Sequence, residues 1–262
     1  WLRVEIKPSE TWTLSKDFFR SYNFKIEKES QKIGIFETNY LEIETKVPDK
    51  SLGTIRAALS KALKTQYGLP IADKYRVRIE PTENPNQSEI YLTLSSIGEV
   101  VIKEQKLWQP REKDIELETE MLLKLMVFLG DDRVESIAKI QSKSVSSETV
   151  ASVFVSDTGY STLVIPYDKK QSWKLLGWAL DEINTDIEDR DSLEGSYLIN
   201  VIPKKGFLSN LLSSVPKQTY QLVLKEVDDA KTHVIFVDLS EGDDQDVIDF
   251  SSELFNDIAK KF

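Results

Sequence analysis

A chain of 262 residues, 40% hydrophobic and 30% charged, has the length for two ordinary domains and too much apolar material for wholesale disorder. Its formal net charge of −10 lies wholly in the second half: residues 1–130 hold 20 Lys/Arg and 20 Asp/Glu, residues 131–262 hold 14 and 24, a balance that opposes nucleic acid or an anionic membrane face and favours a basic partner. The absence of cysteine excludes disulfides, thiol catalysis and thiolate metal sites, and no apolar run approaches the ~20 residues that span a bilayer.

Leu2–Ile6 reads as a short strand, followed by a helix from about Ser9 to Tyr22 with Ser9 as its N-cap. Trp12, Phe19 and Tyr22 recur at helical spacing on one face. A strand, a tight turn at Gly34 and another strand come next; glycine suits a reversal that needs positive φ. A second helix is expected over about Ser51–Tyr67. Tyr75–Glu80 alternates, with Tyr75, Val77 and Ile79 on one face and Arg76, Arg78 and Glu80 on the other, and Glu89–Leu94 alternates in the same way. The run Trp108-Gln109-Pro110-Arg111 has two readings: a pre-helix loop whose Trp plugs the core, or a contact patch, since Trp and Arg favour interface hot spots. A closing helix follows from about Asp114 to Leu129, with Leu117, Met121, Leu125 and Phe128 inward. Residues 131–160 are polar and Ser-rich and read as an interdomain linker, partly helical around Val134–Ile140.

The elements then repeat. A gapless shift of 161 pairs Leu2 with Leu163, Trp12 with Trp173, Ile26 with Ile187, Gly34 with Gly195, Phe36 with Tyr197 and Asn39 with Asn200. The second unit reads as a strand Thr162–Tyr167, a helix with Trp173, Leu176, Leu180 and Ile183 on one stripe, and a hairpin turning at Gly195. Strands Tyr220–Val227 and His233–Leu239 follow, then a closing helix from about Asp243 to Phe262, with Val247, Phe250, Leu254 and Ile258 inward. Acidic residues crowd both closing-helix starts, where the positive dipole end favours them. Between its second and third strands lies a loop, Lys204–Lys217, carrying Phe207, Leu208, Leu211 and Leu212; it is either a lid over the sheet edge or an exposed apolar knob for a partner. The order predicts an α+β fold of two domains, 1–130 and 161–262, each an antiparallel sheet with helices on one face.

Catalytic signatures are missing from the sequence. One histidine, His233, cannot build a two-histidine metal site, no GxSxG elbow accompanies it, and the ten glycines form no phosphate loop. The acidic stretch Asp186, Glu188, Asp189, Asp191 reads as a solvated hairpin tip, not a calcium loop. No catalytic, cofactor or metal residue is therefore assigned, and no cofactor is expected.

Tyr75–Glu80 with Glu89-Ile90-Tyr91, Trp108-Gln109-Pro110-Arg111 running into Leu117-Glu118-Thr119-Glu120-Met121-Leu122, and Ile187-Glu188-Asp189-Arg190-Asp191 with Gly195-Ser196-Tyr197 form a set of stretches in fixed order. Together they resemble the BamC family, accessory lipoproteins of the outer-membrane β-barrel assembly machinery. Around Ser95-Ser96-Ile97-Gly98-Glu99 the family more often has a His-Arg-Gly-like run. The resemblance implies two tandem helix-grip domains and no enzymatic activity. It implies a place on the periplasmic side of the outer membrane through an N-terminal lipid anchor. It also implies partners among the other subunits, BamD above all and also BamA. Beginning with Trp1, the chain reads as a trimmed fragment lacking that anchor and the extended BamD-binding segment. The expected partner-binding residues are Trp108, Gln109 and Arg111 in the first domain and Phe207, Leu208 and Leu211 in the second. The competing expectation is a small-molecule or lipid carrier with a cavity between helix and sheet.

Overall fold

A computed structural model describes residues 1–42, 70–102, 105–130, 151–157, 159–201, 218–239 and 245–262. The chain divides into two units, Trp1–Ser144 and Val145–Phe262.

The first unit runs β1 (Leu2–Val4), α1 (Pro8–Ser21), β2 (Ile26–Ser30), β3 (Ile35–Thr38), β4 (Leu41–Glu42), β5 (Ile71–Pro81), β6 (Ser88–Ile102), β7 (Gln105–Pro110) and α2 (Ile115–Phe128). Its antiparallel sheet has the order β1-β6-β5-β3-β2, with β4 flanking β5 and β7 flanking β6. The long pair β5/β6 keeps one register from Ile71↔Gly98 to Pro81↔Ser88, so Tyr75, Val77 and Ile79 share a face with Ile90, Leu92 and Leu94. That face packs under the helices against Trp12, Phe18, Phe19, Leu125 and Met126. Phe19 is fully buried among Phe18, Phe24, Phe36 and Tyr75, with ring centroids 5.1–5.9 Å away. Burying such a ring stabilises by about 1.5–3 kcal/mol.

The second unit runs β8 (Ser152–Val155), β9 (Ser161–Ile165), α3 (Lys169–Glu182), β10 (Asp186–Asp191), β11 (Ser196–Val201), β12 (Gln218–Asp228), β13 (Lys231–Asp238) and α4 (Gln245–Ala259). Its sheet order is β10-β11-β12-β13-β9-β8. Without β8 this is the order of the first sheet, strand for equivalent strand. The α+β class is thus seen twice, in an arrangement compatible with the helix-grip description.

Local devices repeat with the topology. Both first helices end in a residue of positive φ, Asn23 (67°) and Asn184 (56°). At the first, Asn23 N–H donates to Arg20 O and Phe24 N–H to Phe19 O; at the second, Asn184 N–H donates to Asp181 O and Thr185 N–H to Leu180 O. These are paired Schellman bonds, which satisfy carbonyls the helix leaves open. Asn tolerates the left-handed conformation better than most non-glycine residues. Thr11 and Ser172, also 161 apart, donate hydroxyls to Ile6 O and Tyr167 O. Gly34 and Gly195 turn at φ 64° and 77°, as the sequence predicts.

Several expectations need correction. Helix α1 is capped at Lys7 and begins on Pro8, not at an N-cap Ser9: proline has its φ preset for the first helical position and no N–H to leave unpaired there. Asp114 supplies a side-chain cap, accepting from Leu117 N–H at 2.9 Å, so it does more than complement a dipole. Tyr22 and Phe128 are 39% and 45% exposed, while Phe18 and Met126 turn inward. Asp186–Asp191 is the edge strand β10; the hairpin tip follows it, with Asp191 accepting from Leu193 and Glu194 N–H. Residues 152–155, read as linker, form β8. The helix expected at Ser51–Tyr67 and the helical stretch Val134–Ile140 lie outside the described residues.

Candidate partner-binding surfaces

Strand β7 is a feature that periodicity missed. It pairs antiparallel with the far end of β6, Ile97↔Pro110 through Ile102↔Gln105, and all six of its residues are exposed. Trp108 is 47% exposed and Leu107 44%, which rules out the core-plug reading of Trp108. Lys106 bridges Glu99 at 3.0 Å, and the aliphatic stem of Arg111 lies across Gly98, with Cδ 3.0 Å from where a Cβ would stand. Arg111 N–H donates to Ser96 O and Arg111 is exposed. The fold therefore brings Trp108, Gln109 and Arg111 onto one exposed ribbon. Phe207, Leu208, Leu211 and Leu212 lie outside the described residues.

The ribbon continues a charged sheet face. By register Trp108 sits opposite Glu99, on the side of the first sheet away from the helices. Lys74 meets Glu37 at 2.9 Å, Arg76 stands 3.7 Å from Glu37, Arg78 pairs with Glu80, and Arg3 reaches Glu89 at 2.5 Å. The Tyr91 hydroxyl donates to Glu89 Oε2 at 3.1 Å, and the Arg78 guanidinium lies 4.0 Å from the Tyr91 ring centroid. Trp1 stacks on the same ring, with centroids 5.9 Å apart. Burial pushes the Tyr91 phenol well above its ordinary range, an effect the Arg78 charge opposes. Arg3 is held more firmly protonated by its bond to Glu89. Arg78, Glu89, Arg76 and Glu80 are all buried. Charges out of water need such partners, so the cluster fixes geometry more than it adds stability.

The matching face of the second sheet carries an apolar row between polar positions such as Thr162, Gln221 and Lys225. Phe154, Val164, Ile235, Val223 and Leu198 share it by register and stand half-buried or exposed. His233 lies there too, edge-on to Phe154 at 5.5 Å between centroids.

Among the described residues no group of three or more His, Asp or Glu converges to hold a metal ion. A shallow recess lined by Asp249, Ser252, Glu253, Asn256, Asp257 and Lys260 lies on α4, and its lining is polar. Beneath the helices, Trp12, Phe19, Tyr75 and Leu125 in one unit and Trp173, Leu176, Tyr197 and Phe255 in the other fill the helix–sheet space, so the carrier reading gains no supporting observation.

A family model described as the outer membrane protein assembly factor BamC-like C-terminal domain matches residues 150–261, taking in β8. The chain is 30% identical, over 262 aligned positions, to outer membrane protein assembly factor BamC of Accumulibacter regalis, covering 94% of this chain and 67% of that protein. It is 33% identical over 205 positions to outer membrane protein assembly factor BamC of Thiobacillus denitrificans, covering 77% of this chain and 54% of the relative. An uncharacterized protein of Neisseria meningitidis serogroup B is 30% identical over 210 positions, covering 78% and 51%. The chain thus spans between about half and two thirds of the length of these relatives.

Proposed function

The chain belongs to the BamC family of outer membrane protein assembly factors, and we propose that it acts in that assembly as a non-catalytic accessory scaffold. Its domains engage other subunits of the β-barrel assembly machinery, BamD first and BamA second, during insertion of β-barrel proteins. The observation that carries this reading is the β7 ribbon. A short strand that exposes Leu107 and Trp108 beside Arg111 spends apolar area on solvent, which a partner would recover. The protein then sits on the periplasmic side of the outer membrane, held by a lipid on a cysteine outside these 262 residues. Trp108, Gln109 and Arg111 are the proposed contacts of the first domain. Phe207, Leu208 and Leu211 are those of the second.

Co-purification of the full-length lipoprotein with BamD and BamA from detergent-solubilised outer membranes tests the assignment. Recovery of the complex supports it. Loss of both partners from a folded, membrane-anchored protein overturns it.

A further inference from the structure

We infer that the free edge of β8 is a strand-addition site, taking an extended segment of a partner protein whose alternate residues are apolar and whose flanks are basic.

The backbone defines the site. Ser156 N–H donates to Tyr160 O, toward β9. Alternation along the strand then turns the N–H and C=O groups of Val153 and Val155 away from the sheet. Among the described residues those groups make no hydrogen bond, and Val155 is 67% exposed. An open row of donors and acceptors on an apolar strand selects one kind of occupant, another strand.

Among the described residues two outermost strands, β2 and β10, are protected where β8 is not. β2 and β10 carry the charged sequences Ile26-Glu27-Lys28-Glu29-Ser30 and Asp186–Asp191, and each is bulged, at Ile26/Lys28 and Ile187/Asp189. Charge and bulges are the usual defences of an edge. β8 reads Ser-Val-Phe-Val, with no charge, no proline and no register shift against β9.

The surroundings set the side-chain preference. Helix α4 packs against β8 on one face. On the other, Phe154 stands 44% exposed over His233 and continues into the apolar row of Val164 and Ile235. An added strand would lay alternate side chains beside Phe154. The same edge is geometrically able to pair with a second copy, but residues 131–262 carry 24 Asp/Glu against 14 Lys/Arg, so two copies repel and a basic-flanked segment is attracted. This inference stands apart from the assembly reading: it needs only the second domain's fold.

The probe is a dye-labelled peptide Lys-Val-Thr-Val-Thr-Val-Lys, titrated against the whole chain by fluorescence anisotropy. Amide hydrogen exchange is followed at Val153 and Val155. The expected result is saturable binding with slowed exchange at both amides. Val155→Pro removes one outward donor and should weaken binding about tenfold, or more. The same peptide N-methylated at alternate residues, tested on the unaltered protein, should bind at least as poorly, which keeps the test independent of how the proline variant folds. Three results would overturn the inference: no binding, equal binding by the methylated peptide, or a dimer in sedimentation equilibrium that Val155→Pro abolishes.

Discussion

Trp108→Ala separates a contact surface from a core element. Trp108 is 47% exposed. Of the roughly 250 Å² a large aromatic side chain can bury, about 120 Å² therefore remains for a partner. At about 25 cal/mol per Å² that area is worth up to ~3 kcal/mol of affinity, or roughly a hundredfold in Kd. The portion already covered is anchored on a two-stranded ribbon, so the domain itself should lose at most about 1 kcal/mol. Isothermal titration of the variant against purified BamD and BamA measures the first quantity, and urea unfolding followed by circular dichroism measures the second. Expected is a large loss with at least one partner and a nearly unchanged unfolding midpoint. Affinities within threefold of the parent for every partner would refute the role of β7. A loss of several kcal/mol in stability would instead show that Trp108 holds the ribbon in place and would equally refute a pure contact role.

Three further outcomes follow from the fold. Phe19→Ala opens a cavity between Phe18, Phe24, Phe36 and Tyr75 and should cost about 3–5 kcal/mol in urea unfolding of the first domain. Asn23→Ala and Asn184→Ala place a Cβ-restricted residue at φ 67° and 56°; each should destabilise its own domain by about 1 kcal/mol, whereas glycine at either site should be neutral or stabilising in thermal melts. Tyr91 titrates above its unfolded value, so an unfolded chain releases that proton near pH 10 while the folded one keeps it. The contribution is complete below about pH 10 and is lost as pH rises through the raised folded value. Tyr91→Phe should therefore unfold less steeply with pH than the parent between pH 9 and 11, measured by urea midpoints.

Alternation and helical spacing made Tyr75–Ile79, Ile90–Leu94, Trp12, Phe19 and Trp173 legible as core, because a face that must be buried leaves a period in the sequence. The repeat was legible for the same reason. β7 was not, since Gln105–Pro110 is exposed on every residue and carries no period. β8 hid in a Ser-rich surrounding: four residues are too few to show alternation, and what makes them a strand is pairing with β9. The start of α1 was misplaced because Ser9 satisfies a capping rule in isolation, while Pro8 satisfies the first-turn rule one residue earlier. Of the candidate contacts, Trp108, Gln109 and Arg111 were proposed from residue type alone; the structure adds their exposure, which depends on β6 running past the end of β5.

Register shows what the duplication kept and what it changed. Pairing places Glu37 of the first sheet where the second has Leu198, Arg78 where it has Val223, Glu89 where it has His233, and Tyr91 where it has Ile235. Every one of these points away from the helices. The helix-facing equivalents, Phe36 with Tyr197 and Val77 with Leu222, stay apolar. A core is filled from both sides and tolerates little change of volume, whereas the far face is free to change provided its charges stay paired. In the first domain that face is held by Arg3–Glu89, Lys74–Glu37 and Arg78–Glu80 pairs, so new contacts there would have to break ion pairs, and the proposed contact lies on the ribbon beyond them. In the second domain Leu198, Val223 and Ile235 stand on the same face, which leads to the edge of β8. One scaffold thus exposes a ribbon in its first copy and a sheet edge in its second, the two surfaces proposed above for partners.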